Sequence, residues 1–455
     1  AIVWKAGQQE LENCRMVGKS KTMCHNYIRV LAKEDNGAVL ICGTNAFNPM
    51  CRQYRIDPKG GLYTVRKNFS GIGISPRNPY HNSTSFYDAK HRQIYSGTVE
   101  DTAETNPLIH RRAIDDPDGN WGMRTPRNDR KCLNNPKFVA SFDYKEEVYF
   151  WYKEDALEYG NCGKASYSRV GRVCKSDQGG GREQNVWTSF LKTRLNCSLP
   201  GDYPFYFDQI EAISDLINYG HYGSYSANIV YAVFNTPYQA VRGSAVCAFD
   251  MDAIREIFSG SSFKSQKDPL SYWLPVMKSK VPKPRPGNCA PSSSSMSGEA
   301  VFFARSNPLM NTAARNFFPT PVLVHTGIEE KFTHIAVDAQ VKAADEKPVD
   351  VLFIGTDRGT VIKAANLVTQ DGRAAATVIE TVNVFSKEVP VRNLLIYKAP
   401  LGEAFGNRPK AYMVVVSDHE VRRLPLHYCE RKTTCGACVA LRDPYCAWDG
   451  DKCTA

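Results

Sequence analysis

Apolar residues along this chain come in short runs that break at glycine, asparagine and aspartate, and within the runs apolar and polar positions tend to alternate. A period of two turns one face of a strand to a core and the other to solvent. The pattern predicts strands at Tyr27–Leu31 and Val39–Cys42, joined by Asp35-Asn36-Gly37, because a tight hairpin turn needs positive φ at its centre. Further strands are predicted at Gln93–Thr98, Val148–Tyr152, Ile229–Phe234, Ala245–Phe249, Phe332–Asp338, Val349–Gly355, Thr360–Lys363, Thr377–Val384, Leu394–Lys398 and Tyr412–Ser417. Val186–Leu191 also reads as a strand, since aromatic and β-branched side chains suit a pleated surface. It lies between the turn residues Gly179-Gly180-Gly181 and Pro200-Gly201, at the centre of the stretch Arg169–Ile213 around which the chain is organised. The best helical run is Asp252–Phe258. Many short strands and few helices indicate an all-β fold, and at 455 residues a propeller with short protected edges fits better than a sandwich. No crisp repeat fixes the number of blades.

Cysteine usage sets the compartment. Fifteen cysteines are far more than a reducing cytosol favours, so export is expected, with any leader already removed. Ten lie at or before Cys289 and five at or after Cys429, which marks a domain boundary near Leu426. Cys14 and Cys24, and Cys42 and Cys51, are close enough in sequence for local disulfides. Sequons at Asn68, Asn82 and Asn196 are candidate glycan acceptors. The proline- and lysine-rich run Lys278–Gly287 cannot sit in a central strand, and Ser292–Ser295 reads as an exposed insertion. A net charge of +10 suits an anionic partner such as a glycosaminoglycan, although the basic residues are scattered as on an ordinary solvated surface. No apolar run is long enough to span a membrane.

Several chemistries are weighed and set aside. Cys435-Gly-Ala-Cys438 has the spacing of a redox dithiol or half a zinc site, but no matching second pair follows, so structural disulfides are expected. His325 and His334 lack a neighbouring third ligand. Asp115, Asp116 and Asp118 lack the terminal glutamate of an EF-hand, and Gly179-Gly180-Gly181-Arg182 lacks the Lys-Ser/Thr of a phosphate loop. With no catalytic constellation, cofactor or metal indicated, the chain reads as a recognition surface rather than an enzyme. A glycosidase on a propeller would instead need two carboxylates in its funnel.

The segments RVCKSDQGG, WTSFLKTRLNCS and PGDYPFYF, together with Asn13-Cys14, Asn26–Val30, Cys42–Phe47, Gly243–Cys247 and Pro284–Gly287, resemble the sema domain of semaphorins over nearly the whole chain. Arg442–Asp449 resembles the PSI module that follows it, and the likeness is greatest to the invertebrate transmembrane class 1. The resemblance implies a seven-bladed propeller over residues 1–426, its first blade incomplete, and a truncated PSI module over 427–455. It implies the pairs Cys14–Cys24, Cys42–Cys51, Cys174–Cys289 and Cys197–Cys247, which leaves Cys132 for Cys162. In the tail it implies Cys429–Cys446 and Cys438–Cys453, leaving Cys435 for a partner beyond Ala455 or in a second chain. The implied partner is a plexin receptor, engaged by a dimeric, extracellular or membrane-tethered ligand in axon guidance and cell migration, with no role for nucleic acid. Lys145, Glu146, Glu147 and Lys331 are the expected receptor-facing residues. A plexin-like receptor ectodomain and a glycosaminoglycan-binding adhesion module are the alternatives.

Overall fold

A computed structural model describes residues 3–34, 37–56, 63–114, 122–180, 185–237, 241–289, 296–327, 329–399 and 411–455. Asp35 and Asn36, Asp115, Asp116 and Asp118, Gly181 and Arg182, and Ser292 to Ser295 lie outside the described residues. The chain divides into two compact units, residues 1–195 with 257–313, and residues 196–256 with 314–455.

The first unit holds three antiparallel meanders whose strands neighbour each other in chain order, as blades of a propeller do. They are β1–β4 (Ile28–Lys33, Ala38–Gly43, Met50–Ile56, Tyr63–Ser70), β5–β8 (Thr84–Asp88, Gln93–Val99, Pro107–Ala113, Met123–Arg124) and β9–β12 (Lys137–Tyr144, Glu147–Asp155, Ser166–Cys174, Leu191–Asn196). Gly37, at φ +75°, supplies the left-handed residue that the β1–β2 turn requires. β10 is buried from Glu147 to Tyr152, so its aromatic run EVYFWY behaves as a central strand packed on both faces. Val148, Phe150 and Tyr152 share one core with Tyr95, Phe138 and Trp187.

The second unit holds three more blades. The fourth sheet runs Gln209–Ile213, Tyr225–Asn235, Gly243–Asp250 and Leu323–Thr326, with Ile217–Tyr222 also paired to its longest strand. The fifth is Phe332–Lys342, Pro348–Thr356, Thr360–Val368 and Ala374–Asn383, and the sixth is Asn393–Lys398, Ala411–Val416 and Val421–Pro425. Residue Asp350 is buried in the fifth sheet and accepts hydrogen bonds from the hydroxyls of Tyr222 and Tyr231, both at 2.8 Å, and from the amide and side chain of Gln340.

The described residues thus form six blades, not the seven that the likeness implies. The segment before Ile28 supplies a helix, Gln8–Met16, and coil rather than strands. The first sheet has its full four strands, and the sheet short of one is the sixth. A second expectation also fails: of the predicted strand Val186–Leu191, residues 186–190 form a buried loop, and the strand starts only at Leu191. The Asp177 carboxylate accepts from the amides of Thr188 (2.8 Å) and Ser189 (2.9 Å), from both their hydroxyls (3.0 and 2.7 Å) and from the amide of Gly179 (2.9 Å). Those donors are therefore lost to any sheet ladder.

Six disulfides join Cys14–Cys24, Cys42–Cys51, Cys174–Cys289, Cys197–Cys247, Cys429–Cys446 and Cys438–Cys453. The pair Cys132–Cys162 does not form. Cys132 faces the core under β10, whereas Cys162 sits exposed in the turn after Leu157–Tyr159, so the two sulfurs point into different surroundings. Cys435 is exposed and single at the start of the helix Cys435–Ala440.

Residues from Tyr428 onward bury little beyond their own cystines, and Tyr445 packs against the core shared by the fifth and sixth sheets. Two polar contacts fix this tail. Lys363 Nζ meets Asp443 Oδ2 at 2.5 Å with both side chains almost fully buried, and Tyr445 donates to Asp338 Oδ2 at 2.6 Å.

Candidate functional site

β9 and β10 are joined by the two-residue turn Lys145-Glu146, since Tyr144 pairs directly with Glu147. Lys145 adopts φ +56° to close it, and both turn residues are exposed. The Lys145 ammonium lies 4.9 Å from the Tyr144 ring centre, a position that keeps it on the surface while using the ring's negative face. The turn is the tip of a sheet whose middle strand is buried from Glu147 to Tyr152, so its backbone is held in place without further ordering.

Glu147 does not belong with them. It is 5% exposed, accepts from the Tyr149 hydroxyl at 2.7 Å and pairs with the buried Arg172 guanidinium at 3.2 Å. The family likeness implies an exposed loop residue here, but the turn ends one residue earlier and strand geometry directs this carboxylate inward. It is a buried structural group rather than the exposed one expected.

The exposed turn instead continues into charges that are separated in sequence. The Lys175 amide donates to the Glu146 carbonyl at 3.0 Å, and Lys175 Nζ bridges Asp143 at 2.6 Å and Asp88 at 3.1 Å. Asp88 also accepts from His91 Nδ1 at 2.8 Å. Burial alone would push the Asp88 carboxyl up, but hydrogen bonds from His91 and Lys175 outweigh it and hold the group below the usual carboxylate range. Burial would likewise lower the Lys175 ammonium, and Asp143 and Asp88 raise it instead. Asp88, His91, Asp143 and Lys175 were not singled out from sequence. Their only signal is that each falls near the end of a strand: Asp88 closes one, Asp143 is next to last in another, Lys175 follows a third and His91 sits in the turn after Asp88.

Lys331 lies in the other compact unit, half-buried, and precedes the strand Phe332–Lys342. Its amide donates to Asp357 Oδ1 at 2.8 Å, and its carbonyl accepts from the Asp357 amide at 3.0 Å. Nearby, His334 Nδ1 donates to the Val391 carbonyl at 3.2 Å, and burial lowers its pKa to about 4. A native imidazole that resists a proton taken up by the unfolded chain below pH ~6.5 makes stability highest above that pH and lower as pH falls toward 4. The expected loss is about 2 kcal/mol, given the ring's partial exposure. Urea midpoints between pH 7 and 4 should show it, with a flatter profile for His334→Asn; an unchanged profile would refute this origin.

Among the described residues, Glu147, Cys174 and Cys289 bring three metal-capable atoms together, but the two sulfurs form a disulfide and Arg172 holds the carboxylate. Cys438 is likewise paired with Cys453, which removes the dithiol reading of Cys435 and Cys438.

The Sema domain profile matches residues 213–398, and the Plexin repeat (PSI) profile matches residues 428–455. Semaphorin-1A of Schistocerca americana is 47% identical over 461 residues, an alignment that takes in all of this chain and 60% of that protein. The solved extracellular domains 1-2 of Drosophila Semaphorin 1b superpose with a TM-score of 0.88 at 39% identity, covering 100% of this chain and 84% of that one. The chain belongs to the semaphorin family. A Semaphorin 1b structure solved in complex with Drosophila Plexin A matches similarly, with a TM-score of 0.87 and 40% identity over 100% of this semaphorin and 84% of the other. The semaphorin chain described here spans about three-fifths of the length of the Schistocerca relative. No helix among its described residues is long and apolar enough to cross a membrane.

Proposed function

We propose that this semaphorin chain is the recognition part of an extracellular guidance cue that binds a plexin through exposed blade turns. The observation that carries the reading is the Lys145-Glu146 turn, which exposes two charges of opposite sign at the tip of a buried strand. Family membership, and a relative solved with Plexin A, support plexin as the receptor. Rigid presentation lowers the ordering cost of association, and charges at the rim govern orientation and on-rate. Lys331 is proposed as a second contact. Residues 1–426 would form the sema module and 427–455 the PSI module, with Asn68, Asn82 and Asn196 as glycan acceptors. Dimerisation would let one ligand engage two receptors, and a membrane anchor would lie elsewhere in the full protein. A glycosaminoglycan co-partner is consistent with the net charge of +10.

The test is surface plasmon resonance against an immobilised plexin A ectodomain. The double reversal Lys145→Glu/Glu146→Lys is expected to weaken binding by about tenfold, mainly through on-rate, with an unchanged melting temperature. Unaltered affinity would exclude the turn as a contact.

A further inference from the structure

A cleft of about 340 Å³ opens in the first compact unit, lined by His81, Glu104, Asn128, Asn135 and Lys137 with walls from Leu133, Pro126 and Pro136. Its size is at the small end of small-molecule sites and suits one or two sugar rings. Three of its lining residues, Glu104, Asn128 and Asn135, hold positive φ values of 60°, 55° and 52°. Left-handed backbone at non-glycine residues costs free energy, and its concentration around one cleft marks a surface shaped for something.

The second observation is His81, which is 8% exposed and whose Nδ1 has no hydrogen-bond partner among the described residues. A buried ring nitrogen without a partner is destabilising unless a group entering the cleft satisfies it. Burial, and after it the Lys137 ammonium, lower the imidazole's pKa, so at neutral pH the ring offers one donor and one acceptor. The rest of the lining is mixed. Glu104 and Asp129 oppose Arg130 and Lys137, which disfavours a ligand of strong single charge, while the amides of Asn128 and Asn135 suit a neutral ligand dense in hydroxyl and amide groups. The prolines and Leu133 offer apolar surface to the C–H face of a pyranose.

The next residue after His81 is Asn82, which is exposed and begins the sequon Asn82-Ser83-Thr84. We propose that a glycan carried on Asn82 folds back into this cleft, so that its first N-acetylglucosamine ring covers His81 against Asn128 and Lys137. In the attachment step the Asn82 Nδ2 lone pair bonds to C1 of the sugar. The bond from C1 to the pyrophosphate of a lipid-linked donor breaks, its electron pair leaves with the pyrophosphate, and Nδ2 gives up one proton. The inference rests on the proposed export of the chain and is independent of the plexin contact.

The chain is produced in a secreting eukaryotic host, and peptide mass spectrometry reads occupancy at each sequon. Native and denatured protein are then treated with an endoglycosidase, and release of the Asn82 glycan is timed. Asn82 should be occupied and trimmed about tenfold more slowly in the native protein than in the denatured one, because the enzyme must wait for the sugar to leave the cleft. The cleft variant Asn128→Ala/Lys137→Ala, at two residues that are not core, should restore the denatured rate. An unoccupied Asn82, equal rates in native and denatured protein, or slow release that the variant does not change would each overturn the proposal. Plexin binding of Asn82→Gln, measured in parallel, reports separately on the receptor reading.

Discussion

Asp177→Ala should be among the most damaging single substitutions in this semaphorin, lowering stability by about 4 kcal/mol. The carboxylate is 3% exposed and receives five hydrogen bonds from Gly179, Thr188 and Ser189. Removing it strands three buried amides and two hydroxyls, most of them in a loop that carries Trp187 and Phe190 into the core beneath β10. Each stranded donor costs roughly 1–3 kcal/mol, partly relieved by water entering the loop. Since a domain is stable by only about 5–15 kcal/mol, secretion should fall sharply as well. Asp177→Asn should be intermediate, because the amide oxygen still accepts while the hydroxyl facing its nitrogen can turn to accept from it. Urea unfolding at pH 7 checks the order, and a loss below about 1 kcal/mol for the alanine variant would show that the loop does not depend on this group.

The second large effect is expected where the PSI module meets the fifth sheet. Lys363→Met should destabilise by about 3–5 kcal/mol, because it leaves Asp443 buried at 3% side-chain exposure without its counter-ion. Asp443→Leu should do the same to Lys363, whose ammonium burial already pushes downward and which Asp443 supports most directly. The double variant Lys363→Met/Asp443→Leu should recover most of the loss, since a well-packed apolar pair commonly matches a buried ion pair. Calorimetry would measure the cycle, and limited proteolysis would show the tail released in the single variants alone. Additive losses, with no recovery in the double variant, would mean that the pair is not what docks the module. The effect should be large here because residues after Tyr428 bury little apolar surface of their own, so that two disulfides, this ion pair and the contact of Tyr445 with Asp338 hold them.

Much of this was legible in the chain. Strands such as Val148–Tyr152 and Ile229–Phe234 showed themselves as β-branched and aromatic runs, and the observed strands contain them. The misreadings share a cause, namely that distant groups decide local outcomes. Val186–Leu191 has strand composition, yet a carboxylate at Asp177 captures its amides. Glu147 reads as surface because nothing nearby in sequence announces Arg172 as its partner. The helix Gln8–Met16 buries only Cys14 and so has no apolar stripe to see. At Gly298–Ser306 the sign was local but small: Ser297 caps the helix by accepting from the Ala300 amide at 3.2 Å. The turn at Lys145 and Glu146, proposed to face the receptor, came from family likeness, whereas its continuation through Lys175, Asp143 and Asp88 needed coordinates, because those residues meet only once three strands are aligned.

One cystine sets a timetable for biosynthesis. Cys14–Cys24 and Cys42–Cys51 can close almost as soon as they leave the ribosome, but Cys174 must wait for Cys289, 115 residues later. At typical translation speeds that is roughly 6–23 s. During that interval Cys197 and Cys247 emerge, two thiols destined for each other and both able to capture the waiting one. The nascent chain therefore passes through a window in which the wrong cross-link forms more readily than the right one, and its yield should follow the capacity of the secretory pathway to reshuffle disulfides.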